Sequence, residues 1–76
     1  MKLEVLGPGC TKCKKLYEAT KDAVELAGVA AKVSKVDDLA EIMKYGVLST
    51  PALVIDGKVA FSGKVPSPDE IARLLR

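Results

Sequence analysis

Apolar and polar positions along this chain follow two periods, and each change of period marks a new element. Residues 2–6 indicate a short strand. From Thr11 to Gly28 apolar residues recur at three- and four-residue spacing, which is typical of an amphipathic helix. Residues 30–36 predict a second strand. Because a strand–helix–strand unit joins its strands by a right-handed crossover, we expect these two strands to be parallel.

A short second helix is predicted after this unit. Asp38 is followed three residues later by Glu41, which is the spacing of a capping box. Gly46 offers a place for the helix to end. Its apolar residues form one stripe, in which we expect Met43 to fill the core rather than bind a metal. The stripe consists of Leu39, Ile42 and Met43.

The remainder of the chain predicts a hairpin and a final helix. Asp56-Gly57 separates two apolar runs, which predicts antiparallel strands at about 52–55 and 58–62. Ser67 and Pro68 suit the cap and the first position of a helix. The buried stripe of that helix is expected to consist of Ile71, Leu74 and Leu75.

The predicted order is therefore βαβαββα, an α/β fold. We expect one domain over residues 1–76, with a four-stranded mixed sheet and helices on both faces. The first strand should be internal, and the first and third helices should share a face. Lys32 and Lys35 place the second strand at an edge, where charges discourage aggregation between sheets.

Composition and charge argue against several classes of partner. The chain has 76 residues, is 49% hydrophobic and carries a net charge of +2, which suits a small packed domain rather than a nucleic-acid footprint. No apolar run reaches the roughly 18 residues of a membrane span. The first residues are too few and too charged for a signal peptide. We therefore expect a cytoplasmic monomer with no nucleic-acid or membrane partner.

The candidate chemistry lies in the only two cysteines, Cys10 and Cys13, where the first helix begins. Free N–H groups and the helix dipole stabilise a thiolate there, and Lys12 adds positive charge. A thiolate is the nucleophile of disulfide exchange, so Cys10 should be exposed and reactive. Cys13 begins the apolar face and should be buried. It lies one turn further on, where it could attack a mixed disulfide at Cys10.

Other uses of the cysteine pair must be weighed. A structural disulfide across two intervening residues removes little entropy from the unfolded chain. Zinc within one chain requires four Cys or His ligands, and this chain has two Cys and no His. A soft-metal carrier that binds copper through two thiolates stays open. A noncatalytic redox sensor or interaction module stays open as well.

The order of two motifs makes the chain resemble the thioredoxin-like superfamily. Cys10-Thr11-Lys12-Cys13 follows the first strand, and Thr50-Pro51 precedes the hairpin. The chain is most similar to short thioredoxin-like proteins of archaea and bacteria, of the redox-active disulfide protein 2 type. The resemblance implies a thiol–disulfide oxidoreductase, thioredoxin- or glutaredoxin-like, whose redox group is the Cys10–Cys13 disulfide without another cofactor. It also implies protein disulfides as substrates and an upstream disulfide reductase as electron source.

The resemblance further implies a substrate-binding region near the cysteines. Thr50–Pro51 should be a cis peptide facing them, with the Thr50 backbone pairing with substrate. Gly63 should leave room for the partner's chain. Thioredoxin has Trp before its first cysteine and Gly-Pro between the two, where this chain has Gly9 and Thr11-Lys12. Glutaredoxin has an aromatic residue between its cysteines, and this chain has none there.

Heavy-metal-binding domains offer a competing resemblance, because they too place two cysteines, two residues apart, after a first strand. Their element order is βαββαβ, which ends in a strand. Their usual Met two positions before the first cysteine is replaced here by Pro8. The predicted helix after Asp38 and the predicted final helix both depart from that order.

Glu4 has two possible roles. It lies six residues before Cys10, the spacing at which thioredoxins carry a buried acid beneath their disulfide. Such an acid could accept a proton from Cys13 during exchange. Alternatively Glu4, with Lys2, lies on a solvated strand face, which the cost of burying a carboxylate favours.

Overall fold

The computed structural model describes residues 1–9, 11–47 and 49–76 and has the predicted order βαβαββα. Its sheet has four strands in the order β2-β1-β3-β4. β1 pairs in parallel with β2 and antiparallel with β3, so the prediction of an internal first strand and an edge second strand is confirmed. The elements are β1 (Lys2–Leu6), α1 (Thr11–Ala27), β2 (Lys32–Val36), α2 (Leu39–Lys44), β3 (Ala52–Ile55), β4 (Lys58–Ser62) and α3 (Pro68–Leu75).

Helices cover both faces of the sheet, as predicted. Leu3, Val5 and Leu53 form one core cluster with residues of α1 and α3. Leu6 and Val54 form a second cluster with α2 on the opposite face. Side chains alternate between the faces of a strand, and both faces are covered here, so β3 is continuously apolar. β1 is apolar except for the charged residues Lys2 and Glu4.

The prediction that the apolar stripe of α2 is buried is wrong for two of its three residues. Leu39 is 64% exposed and Met43 is 69% exposed, and only Ile42 is buried. α2 has six residues, which is less than two turns, so it presents little surface to the sheet. Tyr45 and Val47, which follow the helix, fill the rest of this face. Met43 is therefore not a core residue.

The prediction of a buried stripe on α3 is also wrong for one of its three residues. Leu74 is 51% exposed, whereas Ala72 is buried beside Ile71 and Leu75. Ala72 belongs to the same core cluster as Ala23 of α1. Small side chains let two helices approach closely, which turns Ala72 inward in place of Leu74.

Capping residues define the starts of the two shorter helices. The Asp38 side chain accepts a hydrogen bond from the Ala40 N–H at 2.9 Å. The Ser67 hydroxyl accepts one from the Glu70 N–H at 3.3 Å. Both caps are those predicted from the sequence. β2 begins at Lys32, two residues later than the strand predicted from residue 30.

Candidate active site

Gly7 lies just beyond β1, close to both the cysteine motif and the Thr50-Pro51 motif. It is buried, and its N–H donates a hydrogen bond to the Val36 carbonyl at 2.9 Å. A Cβ built on Gly7 would lie 3.0 Å from the Cβ of Cys13, closer still to its Sγ, and 4.0 Å from the Cα of Pro51. The Cys13 side chain therefore packs directly on the Gly7 backbone, next to the loop that contains Pro51.

Sequence reasoning missed this role, because it treated Gly7 only as a break between strand and helix. Glycine permits a side chain to approach the backbone more closely than any other residue does. The available signal was the position of Gly7, at the end of a predicted buried strand and just ahead of the cysteine motif. That signal does not say which side chain occupies the space.

Cys13 is held at the start of α1. It is 5% exposed, as its place on the apolar face predicts, and it is disulfide-bonded. The first turn of α1 contains no acidic residue, and Lys12 and Lys14 are exposed there. The start of α1 therefore combines the positive end of the helix dipole with the positive charges of exposed lysines. Cys10 lies outside the described residues, so its predicted exposure and role stay predictions.

The segment before β3 is hydrogen-bonded to the segment after β4. The Thr50–Pro51 peptide bond is cis, and Pro51 is buried. The Gly63 N–H donates a hydrogen bond to the Pro51 carbonyl at 2.8 Å. Gly63 has a φ of +74°, and a Cβ built on it would lie 3.1 Å from the Cβ of Ser49. The protein's own backbone and packing therefore favour glycine at position 63, whatever a partner requires.

Glu4 lies on the α2 face of β1 and is half-buried. Its carboxylate accepts a hydrogen bond from the Tyr45 hydroxyl at 2.9 Å. This bond, followed by desolvation and the negative charges of Glu4 and Glu41, raises the pKa of Tyr45 above its ordinary value. Glu4 thus has a specific partner that sequence reasoning did not find. Its proposed proton exchange with Cys13 stays a prediction.

A cavity of about 150 Å³ borders the Cys13 side chain. It lies between the start of α1 and the end of β2. Its lining includes Gly7, Cys13, Lys14, Lys35 and Asp37, and the last three are exposed. The buried cysteine therefore has charged, solvent-accessible side chains next to it.

These features define a class of protein. A cysteine in a disulfide at a helix start, packed on the end of a central strand and beside a proline loop, is the arrangement expected of a thiol–disulfide exchange protein with a thioredoxin-like fold. The chain matches the family model described as Thioredoxin domain over residues 1–76. The protein therefore belongs to the thioredoxin domain family.

Curated relatives agree with this assignment. The chain is 40% identical over 74 residues to a protein named Thioredoxin from Methanocaldococcus jannaschii, covering 97% of this chain and 85% of that one. It is 32% identical over 75 residues to a Thioredoxin from Methanothermobacter thermautotrophicus, covering 99% and 97%. These matches support a short thioredoxin-like protein of archaeal type with a general role in thiol–disulfide exchange.

The soft-metal alternative is not favoured. α2 lies between β2 and β3, and α3 follows β4, so the order differs from the βαββαβ of heavy-metal-binding domains. None of the described helices has the length and apolar character needed to cross a membrane.

Proposed function

We propose that this protein is a thioredoxin-type thiol–disulfide oxidoreductase of the cytoplasm, with Cys10 and Cys13 as its redox pair and no other cofactor. The observation that carries the proposal is the packing of Cys13 at the start of α1, against Gly7 and beside Pro51. The thioredoxin type is preferred to the glutaredoxin type because the two curated relatives are thioredoxins and no aromatic residue separates the cysteines.

The first step is attack on the substrate. The Cys10 thiolate attacks one sulfur of a protein disulfide, and a bond forms between Cys10 and that sulfur as the substrate disulfide breaks. The other substrate sulfur leaves as a thiolate and takes a proton. The start of α1 and the positive charge of Lys12 favour the Cys10 thiolate.

The second step releases the substrate. Cys13 loses its proton and attacks the Cys10 sulfur, which forms the Cys10–Cys13 disulfide and frees the second substrate thiolate. Two electrons have then passed to the substrate, and the protein is oxidised. An upstream disulfide reductase returns two electrons and two protons to the pair and completes the cycle.

Other residues position the substrate and the proton. The backbone of Thr50, ahead of Pro51, would pair with an extended substrate segment. Gly63, which has no side chain, would leave room for that segment. We propose Glu4 as the acceptor of the Cys13 proton, in place of the role on a solvated strand face, because its side chain is half-buried. The hydrogen bond from Tyr45 to Glu4 supports this role only indirectly, because it holds the carboxylate in one orientation.

Trapping of the mixed disulfide tests the proposal. A Cys13→Ser variant can complete only the first step, so incubation with an oxidised peptide should accumulate an adduct at Cys10, detectable by mass. The matched control, Cys10→Ser, should form little or no adduct. Equal trapping by the two variants would contradict the division of roles. Absence of adduct in Cys13→Ser would contradict the proposed function itself.

A second measurement addresses Glu4. In a Glu4→Gln variant, the rate of the second step should depend on pH differently from that of the wild type, because a carboxylate has been replaced by a group that cannot accept a proton. The Tyr45→Phe variant is the control, since it removes the hydrogen bond and keeps the carboxylate. An unchanged pH profile in Glu4→Gln would exclude Glu4 as the proton acceptor.

A further inference from the structure

We propose that this protein selects protein disulfides whose neighbouring residues are acidic. The selection is made by the cationic surface, which we define as Lys12, Lys14, Lys15 and Lys35. The inference rests on the proposed function and specifies its substrate class.

The cationic surface adjoins the reactive region directly. Lys14 and Lys35 line the same cavity as the Cys13 side chain, and Asp37 is the acidic member of that lining. Lys12 and Lys15 are exposed neighbours on α1. In the cavity lining, two positive charges, those of Lys14 and Lys35, thus face the negative charge of Asp37. Lys12 and Lys15 add two more positive charges on the exposed surface near the start of α1. Any polypeptide that brings a disulfide to the start of α1 must place its flanking residues near these lysines.

Lys35 has a defined position within this surface. Its Nζ lies 4.5 Å from the centre of the Tyr17 ring, and Lys21 approaches the same ring at 5.4 Å. A lysine on an edge strand can serve simply to prevent pairing between sheets. Lys35 instead reaches across to α1, where its ammonium group makes a cation–π contact with the Tyr17 ring.

The charges of the cationic surface are not neutralised by neighbouring side chains. Among the residues that the structure describes, the ion pair present is Lys44–Glu41, which lies on α2. The four lysines therefore keep their charges available to a partner. A partner carboxylate would add a negative charge to a lining whose own acidic side chain is that of Asp37.

The later part of α1 carries acidic side chains, together with Lys21 and with Arg76, whose guanidinium donates a hydrogen bond to the Leu26 carbonyl. Asp22, Glu25 and Asp69 line a groove between the later part of α1 and the start of α3. The net charge of the chain is only +2, but the first turn of α1 has no acidic residue, whereas Asp22 and Glu25 lie in its later part. A partner with acidic residues would attract the cysteine end and repel the other end, which orients the encounter. This separation favours an acidic protein segment over a neutral one.

Three disulfide-linked peptides test the inference. They should be identical except for two residues beside the cysteine, which are Asp, Asn or Lys. The measured quantity is the rate of mixed-disulfide formation with Cys13→Ser. Each favourable charge pair about 8 Å apart in water at low ionic strength should raise the rate about twofold. Two Asp residues, each paired with one lysine, should therefore make the Asp peptide react about fourfold faster than the Asn peptide at low salt, and the Lys peptide should react slowest.

Salt and charge reversal supply the controls. At about 1 M salt the screening length is about 3 Å, so the three rates should converge. Lys14→Glu combined with Lys35→Glu should abolish or invert the preference. Lys2→Glu combined with Lys58→Glu changes the net charge equally at the far end of the sheet and should leave the preference intact. The ratio of Asp to Asn rates is compared, so a general change in cysteine reactivity cancels.

The outcomes separate the two proposals. Exchange with all three peptides at equal rates, or equal loss of preference in both charge-reversed pairs, would overturn the inference and leave the proposed function standing. Failure to react with any peptide would overturn the proposed function. Equal competition by an oligonucleotide of matched charge would show general attraction of polyanions and would also overturn the inference. Gln substitutions at Lys14 and Lys35 provide a milder pair if the Glu variants do not fold.

Discussion

Replacing Gly7 with alanine perturbs the contact on which the candidate site depends. Gly7 is buried, and its φ is not in the positive region, so alanine can adopt its backbone conformation. The added methyl group would lie 3.0 Å from the Cβ of Cys13 and closer still to its Sγ, and the contact with Sγ is the one that Cys13→Ala removes. Carbon atoms in favourable contact are about 3.5–4.0 Å apart, so the methyl group overlaps Cys13 by about 0.5–1 Å.

The size of the effect follows from this overlap. Overpacking of a well-packed interior typically costs about 1–3 kcal/mol. For a domain of this size, each kcal/mol lowers the melting temperature by about 4–8 °C. We therefore expect Gly7→Ala to unfold at visibly lower urea concentration and temperature than the wild type. The second step of exchange should also slow, because Cys13 is displaced.

A double-mutant cycle isolates the contact. Urea unfolding followed by circular dichroism should be measured for wild type, Gly7→Ala, Cys13→Ala and the double variant. In the Cys13→Ala background, the sulfur and its disulfide are missing whether residue 7 is Gly or Ala. The stability lost with the disulfide therefore cancels when these two variants are compared. Gly7→Ala should cost at least about 1 kcal/mol less in the Cys13→Ala background. An equal cost in both backgrounds would refute the proposed packing of Cys13 on Gly7.

Other predictions concern the surrounding loops and α2. Gly63→Ala should destabilise the protein by about 1 kcal/mol more than Gly57→Ala in urea unfolding, because both glycines have positive φ but only the first has a neighbour within 4 Å. The raised pKa of Tyr45 favours its neutral form in the folded state. The hydrogen bond of Tyr45 should therefore contribute fully to stability below about pH 10, and this contribution should be lost as pH rises through the pKa of Tyr45 in the folded state. The difference in the free energy of unfolding between wild type and Tyr45→Phe should narrow over the same pH range. Ile42→Ala should cost about 2–5 kcal/mol, and Met43→Ala should stay within about 0.5 kcal/mol. A large cost at Met43, or a constant Tyr45 difference at alkaline pH, would contradict these assignments.

Features that depend on neighbours in the sequence were predicted well. The caps at Asp38 and Ser67 and the turn at Asp56-Gly57 depend on a few consecutive residues, so the residue types indicate the structure directly. The sheet order followed from the same elements, because a strand–helix–strand unit and a hairpin leave few arrangements that cover both faces of a four-stranded sheet.

Features that depend on distant contacts were not predictable in this way. The partner of Glu4 is Tyr45, which is 41 residues away in the chain, and no local pattern indicates such a pair. The packing of Cys13 on Gly7 likewise depends on how α1 approaches the end of β1. The spacing of Met43 suits an amphipathic helix and so predicts a core position, but α2 is too short for that face to reach the sheet.

The most direct test of the central claim is redox equilibration of the Cys10–Cys13 pair. Reduced and oxidised protein should be incubated in a series of thiol–disulfide buffers, quenched with an alkylating agent and separated by mass. We expect both starting states to converge on one two-electron curve, with a midpoint between about −120 and −270 mV, the range of proteins that exchange disulfides. A pair that stays fully reduced or fully oxidised across the series, or starting states that do not converge, would contradict a reversible disulfide-exchange function.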